Sequence, residues 1–148
     1  MQNNTGSGLT GLISTVRIKF TVRVLARSDT QTSFAFRQGS DVIRTIAIPP
    51  VNMTDINGLY AESVAITDSV FPSSDSPSFS LAFSSGGNMS ATGYIDYVDF
   101  RARASLAWRG NQLYISDSRS VGKEAVTRFT VEGSSALRVW DVSDPFAP

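Results

Sequence analysis

Hydrophobic and polar residues alternate strictly along one segment near the start of the chain. Val16, Ile18, Phe20, Val22 and Val24 occupy every second position, and basic or threonine side chains stand between them. This period of two is typical of a β-strand with one buried face and one solvated face. The segment 16–24 is therefore the strongest strand prediction in the sequence.

Short apolar stretches of similar character recur along the rest of the chain. They predict strands at residues 34–36, 42–48, 63–66, 79–83, 94–100, 105–108, 113–115, 127–131 and 137–142. The segments between them are rich in Gly, Pro, Ser, Asn and Asp, which favour turns. In two of these segments, Gly39 and the pair Gly110 and Asn111 predict hairpin turns.

The spacing of these strands predicts an all-β fold. About ten short strands at near-even intervals, with no sustained helical period, favour an antiparallel sandwich or barrel. The strands are short and connections such as residues 49–60 are long, which favours two sheets joined by crossing loops. We therefore expect an antiparallel two-sheet β-sandwich of jelly-roll type. The length of 148 residues, 41% of them hydrophobic, fits a single β-sandwich domain over residues 1–148.

The composition excludes many kinds of chemistry, because the chain contains no cysteine and no histidine. Thiol nucleophiles, Ser-His-Asp triads, zinc sites and imidazole general bases all need one of these side chains. Hydrolysis by a pair of carboxylates and binding of hard cations through oxygen ligands remain open. We expect that the chain is not itself an enzyme and that it holds no cofactor.

The charge balance and the sequences at the two ends of the chain bear on its partners and its location. Basic and acidic residues balance at 13 each, so no net field attracts the chain to nucleic acid or to an acidic membrane. Residues 1–11 have neither a basic start nor an apolar run, so they do not resemble a signal peptide or an anchor. A strand and a proline-containing turn end the chain at 139–148. We expect a fragment of a larger multidomain protein whose signal peptide lies upstream.

Acidic residues are the candidates for a metal site or a hydrolytic pair. They are Asp96, Asp99, Asp117, Asp141 and Asp144. The strand period puts Asp96 and Asp99 on opposite faces, so they share a site only if a bulge intervenes. Asp141 and Asp144 are better explained as partners of turn amides. No catalytic or metal residue is assigned, although a structural calcium ion stays open as an alternative.

Aromatic residues are the candidates for a sugar-binding platform. They are Trp108, Trp140, Tyr60, Tyr94, Tyr97 and Tyr114. All except Tyr60 lie in predicted strands among large apolar residues, so core packing is the favoured interpretation. The pair Gly86 and Gly87 precedes no predicted helix, which excludes a phosphate-binding loop. The sequence therefore assigns no ligand-binding residues, and these stay unknown.

Two motifs in the last part of the chain resemble a known family. The sequence GYIDYVDFRARASL at residues 93–106 resembles a stretch of the PorU-like sortases of the type IX secretion system, which belong to the gingipain family of cysteine peptidases. In that family the corresponding stretch has a Gly, an aromatic residue, an aliphatic residue, Asp-Tyr and a second aliphatic residue. Arg and Leu follow a few residues later. The sequence VWDVSDP at 139–145 is similar to VWDVTDP of that family. Ser143 replaces the threonine, and Ala104 stands where a second arginine is frequent.

The resemblance implies a parent protein at the outer-membrane surface of a Bacteroidetes-type bacterium. Such a peptidase removes the C-terminal sorting signals of exported cargo and passes the cargo, through an acyl-enzyme, to a lipopolysaccharide amine. That reaction needs a Cys-His pair. The chain would therefore be a non-catalytic accessory or structural domain that precedes the peptidase domain. Its implied partners are that domain, secreted cargo or secretion-system subunits, with no nucleic acid and no direct membrane insertion.

Two other functions are compatible with the sequence. The first is a carbohydrate-binding module of another surface protein, which needs an exposed aromatic platform. The second is an adhesion-type domain that assembles by strand exchange, for which the long segment 16–24 is a candidate edge. Both also predict an extracellular or cell-surface location.

Overall fold

The computed structural model describes residues 3–6, 9–107, 114–115, 126–133 and 138–140, the first four of them by their backbone alone. The chain divides into two compact units, Met1–Ala104 and Ser105–Pro148. All the strands found among these described residues belong to the first unit. That residues 1–148 form a single domain stays a prediction. Within the described part of the chain no helix is long and apolar enough to cross a membrane.

The first unit is an antiparallel β-sandwich, as predicted. Its strands are β1 (Asn3–Gly6), β2 (Ile18–Arg27), β3 (Thr32–Gln38), β4 (Asp41–Ile48), β5 (Glu62–Val70), β6 (Phe79–Ser84) and β7 (Thr92–Arg101). One sheet has the order β1-β6-β3-β4 and the other has the order β5-β2-β7. Apart from the β3–β4 hairpin, each connection between these strands passes from one sheet to the other, which is the crossing pattern expected of a jelly-roll type.

Strand β2 follows the predicted alternation and forms the centre of its sheet. Ile18, Phe20, Val22, Val24 and Ala26 are buried, whereas the residues between them reach solvent. The strand pairs with β5 on one side and with β7 on the other. Strand exchange through this segment is therefore ruled out, because a central strand has no free hydrogen-bonding edge.

The start of β2 differs from the prediction by two residues. The strand begins at Ile18, because the Val16 N–H donates to the Ile13 carbonyl across 3.0 Å in a preceding turn. That hydrogen bond withdraws Val16 from the sheet ladder. Its half-buried side chain nevertheless continues the apolar side of the strand.

Phenylalanine rings join the two sheets. The ring of Phe20 on β2 lies 4.8 Å from that of Phe36 on β3, measured between centroids. The rings of Phe79 on β6 and Phe100 on β7 lie 4.6 Å apart. Tilted rings at these distances are a favourable packing arrangement. The core is therefore a continuous aromatic layer between the sheets, extended by aliphatic side chains from β2, β4, β5 and β7.

The predicted hairpin at residue 39 is confirmed. Gln38 pairs with Asp41, so Gly39 and Ser40 alone connect β3 to β4. Gly39 has a φ of 58°, a conformation that glycine adopts without steric cost and that tight hairpin turns require.

Other strand predictions were wrong or fall outside the described residues. Strand β1 was not predicted, because its polar sequence NNTG carries no apolar signal and its pairing with β6 supplies the structure. Residues 127–131 form no strand: they are mostly exposed, and they pair with no strand among the described residues. Of the segments 105–108, 113–115 and 137–142, the described residues form only one isolated bridge, between Ala107 and Glu132. The predicted hairpin at 110–111 lies outside the described residues.

Candidate functional site

A β-bulge interrupts the pairing of β7 with β2. Arg23 pairs with Tyr97 and the next residue, Val24, pairs with Ile95, so Asp96 is an extra residue on β7. A bulge of this kind disrupts the ladder locally and changes the direction of the side chains that follow. Asp96 and Tyr97 consequently both reach solvent, although they are consecutive in a strand.

The bulge corrects the sequence-based placement of the two aspartates. Asp96 and Asp99 lie on the same, outer face of the β5-β2-β7 sheet, because the extra residue shifts the alternation between them. Each pairs with an arginine on that face: Asp96 with Arg23 at 3.4 Å and Asp99 with Arg101 at 3.5 Å. Within the described residues, no three acidic side chains come close enough together to hold a metal ion.

The outer face of this sheet carries exposed tyrosines. Tyr94 and Tyr97 are 41% and 44% exposed, so the expectation that they fill the core was wrong. The core side of β7 instead carries Ile95, Val98 and Phe100. Tyr60, just before β5, is 66% exposed, which agrees with its placement outside a strand. Three rings that are available to solvent thus belong to one side of the sandwich.

Arg27 and two of these tyrosines form a connected group. The Arg27 guanidinium lies 4.3 Å from the centroid of the Tyr60 ring, in cation–π contact. A side-chain hydrogen bond to Tyr60 raises the pKa of Tyr94, and the nearby Arg27 charge opposes that effect. We call Arg23, Arg27, Tyr60, Tyr94 and Tyr97 the tyrosine–arginine face.

Buried Ser28 fixes the end of β2 from which Arg27 projects. Its hydroxyl accepts hydrogen bonds from the Thr30 N–H at 3.2 Å and from the Asn88 side-chain amide at 3.1 Å. Its carbonyl accepts one from the Val51 N–H at 2.8 Å. Three connecting segments are thus tied to one residue, and the backbone beside Arg27 is held in place.

A groove of about 410 Å³ lies next to the bulge, between β6 of one sheet and β7 of the other. Its lining is mainly apolar and consists of Phe36, Phe79, Ser80, Leu81, Ile95, Asp96, Tyr97, Val98 and Phe100. The lining includes one carboxylate, that of Asp96, which is already paired with Arg23. Hydrolysis by a carboxylate pair needs two such groups facing one cavity, and this groove does not supply them.

Known proteins offer no match to this chain. No family model, no curated protein and no solved structure is matched. The resemblance of residues 93–106 and 139–145 to the sortase family therefore stays a prediction.

Some of the remaining candidate site residues lie in described segments, and others are among the residues that the structure does not describe. Trp140 and Tyr114 are 67% and 75% exposed. Trp108, with Asp117, Asp141 and Asp144, lies outside the described residues. Gly86 and Gly87 form part of the turn before β7, and no helix follows them.

Arg23, Arg27 and Ser28 were not recognised as site residues from the sequence. Arg23 and Arg27 occupy the polar positions of the β2 alternation, so that pattern contained a signal for the two arginines. The pattern contained no signal for Ser28.

Proposed function

We propose that this chain is a non-catalytic accessory β-sandwich of a cell-surface protein related to the type IX secretion sortases of the gingipain family. The parent would process the C-terminal sorting signals of exported cargo at the outer-membrane surface. The chain would contribute a rigid module that packs against the neighbouring peptidase domain. Cargo or secretion-system subunits are its further partners under this proposal.

The observation that carries the proposal is the motif beginning at Gly93. In the structure this motif corresponds to a specific local geometry rather than to a generic strand. Gly93 faces two aromatic rings of the core, and the Asp-Tyr pair forms the bulge. The absence of cysteine and histidine supports a role outside the catalytic centre of a cysteine peptidase.

An exposed apolar loop supports a docking role. The connection between β4 and β5 carries Met53, Ile56 and Leu59, of which Ile56 is 96% exposed and Leu59 is 68% exposed. Several large apolar side chains exposed in one loop are a feature of interaction surfaces. We assign the loop at residues 52–60 as the part of the sandwich that contacts the neighbouring domain.

The complete gene tests the parentage. We expect the reading frame to continue into a peptidase domain that contains a Cys-His pair, and a frame without such a domain would contradict the proposal. Hydrogen exchange tests the docking role. Backbone amides at 52–60 should exchange more slowly in the parent than in the 148-residue chain, while those of the Gly39 hairpin should not change. Equal exchange at 52–60 in both proteins would exclude this loop as the docking surface.

The exposed tyrosines favour a second candidate function, a carbohydrate-binding or adhesion-type module of another surface protein. Tyr60, Tyr94 and Tyr97 present ring surface on one side of the sandwich. Exposed rings on a rigid sheet are the feature that this function requires. Binding of the 148-residue chain to any polysaccharide supports it, and lack of binding opposes it.

A further inference from the structure

The outer face of the β5-β2-β7 sheet carries an excess of positive charge. Its side chains include four cations and two carboxylates, and the cations are Lys19, Arg23, Arg27 and Arg101. Asp96 neutralises Arg23, and Asp99 neutralises Arg101. Among the described residues no carboxylate forms an ion pair with Lys19 or with Arg27. The unneutralised charge of Arg27 lies directly against the tyrosines.

The spacing of the rings suits an extended ligand. Outward-facing positions two residues apart on a strand are separated by about 7 Å, and the bulge places Tyr94 and Tyr97 about 7 to 10 Å apart. That separation exceeds the distance between neighbouring pyranose rings and suits alternate rings of a saccharide chain. The apolar face of a sugar ring stacks on tyrosine, while the sugar hydroxyls reach the charged side chains beside it.

The rings and the charge together specify a ligand. We infer that the tyrosine–arginine face binds an acidic polysaccharide, whose sugar rings stack on Tyr60, Tyr94 and Tyr97 and whose carboxylate groups pair with Arg27. A planar guanidinium binds a carboxylate through two parallel hydrogen bonds, so arginine suits this role better than lysine. The inference rests on the second candidate function and does not require a peptidase parent.

The site is preorganised before any ligand arrives. Arg27 is already in contact with the Tyr60 ring, and Ser28 fixes the adjacent backbone through hydrogen bonds to three connecting segments. Little side-chain freedom remains to be lost when the ligand binds, which favours affinity. Cation–π contact uses the face of the guanidinium and leaves its edge available, and within the described residues no acceptor is bonded to that edge.

Titration calorimetry with two matched polymers tests the inference. Polygalacturonate carries a carboxylate on each sugar, and its methyl ester has the same backbone without the charge. We expect the chain to bind polygalacturonate about tenfold more tightly than the ester, with affinity that falls as salt rises. Tyr60→Ala and Tyr94→Ala should each weaken binding about fivefold. Arg27→Gln should abolish the preference for the acid, whereas Arg27→Lys should restore part of it.

Control variants separate the site from general effects. Tyr114→Ala removes an exposed tyrosine of the second unit, and Arg37→Gln removes a cation from the other sheet. Both should bind polygalacturonate as the unchanged chain does. Melting curves within a few degrees of that of the unchanged chain establish that each variant is folded, as expected for positions outside the buried core.

The possible outcomes separate failure of this inference from failure of the second candidate function. Equal binding of the acid and the ester overturns the acidic specificity and leaves a carbohydrate-binding module. Binding that none of the tyrosine or Arg27 variants alters overturns the assignment of the site. No binding to either polymer overturns this inference, whereas the second candidate function fails only if the chain binds no other polysaccharide either, and the accessory-domain proposal is unaffected in both cases.

Discussion

A Cβ atom placed on Gly93 would lie 2.5 Å from Cδ2 of Phe83 and 2.8 Å from Cε2 of the same ring. The same Cβ would lie 2.7 Å from Cζ of Phe34, whose ring centroid is 5.0 Å from that of Phe83. Real Cβ atoms do not approach other atoms so closely. The backbone of β7 therefore packs directly on this aromatic pair, and glycine is required at the point of contact.

Substitution of this glycine should destabilise the sandwich. We expect Gly93→Ala to lower the free energy of unfolding by about 1–3 kcal/mol, because the added methyl group overpacks the core. Urea unfolding measures the change. In a Phe83→Val background, which removes the two clashing Phe83 atoms and leaves only the contact with Phe34, the same substitution should have a smaller effect. An undiminished effect in that background would contradict the steric explanation.

Deletion of Asp96 should be tolerated, although it removes a residue from the middle of a strand. The deletion converts the bulge to a regular ladder and leaves Ile95 and Tyr97 facing the sides they face now. We expect a loss of about 1 kcal/mol or less, since only the exposed ion pair to Arg23 disappears.

Deletion of Asp99 is the matched comparison for that experiment. It turns Phe100 away from the core and should cost about 2–4 kcal/mol. Urea unfolding of both deletion variants gives the comparison. Equal losses would show that the pairing register assigned to β7 is wrong.

The aromatic layer should dominate the stability of the first unit. Phe36 is 1% exposed and lies between the rings of Phe20 and Phe79. We expect Phe36→Ala to lower the free energy of unfolding by about 3–5 kcal/mol through lost burial and the cavity that remains. Val42→Ala, at a half-exposed position on the neighbouring strand, should change it by less than about 0.5 kcal/mol. Thermal or urea unfolding distinguishes the two variants.

The carboxylate of Asp68 should contribute to the loss of stability in acid. The Ser69 N–H, 2.7 Å away, and Arg44, on the facing edge strand β4, hold the pKa of Asp68 below its ordinary value of 3.8. A depressed pKa in the folded state stabilises the fold at higher pH, and this contribution is lost as the pH falls through the folded-state pKa.

Unfolding at a series of acidic pH values measures this contribution. Asp68→Asn should flatten the dependence of stability on pH below about pH 4. Arg44→Gln should flatten it less, because the hydrogen bond from Ser69 makes the largest contribution to the shift. An unchanged acid dependence in the Asp68→Asn variant would contradict the assignment.

The fold could be predicted from the sequence wherever a strand has one buried face and pairs regularly. The alternation from Ile18 to Ala26 marks β2 clearly, and Gly39 marks the tightest turn. Periodicity failed at β7, where a bulge that leaves no mark in the sequence moved Asp96 to the same face as Asp99. It also failed at residues 127–131, because an alternating segment forms a strand only when a partner supplies hydrogen bonds.

The candidate site was harder to predict than the fold. Tyr94 and Tyr97 were expected in the core, because large aromatic residues in a strand are usually buried. Their exposure depends on which face of β7 meets the other sheet, and one added residue decides that face. The contact between Arg27 and Tyr60 joins residues far apart in sequence, so no local pattern reveals it.

The central position of β2 has a consequence for how the protein is made. This strand is synthesised well before its two neighbours, because β5 and β7 come much later in the sequence. One of its edges stays open until β5 has been added and the other until the residues around Arg101 have been added, and contacts of such long sequence separation form slowly. During that interval an apolar strand with an unpaired edge is prone to associate with other chains. The segment Ile18–Arg27 is therefore exposed to association with other chains until β7 has been synthesised.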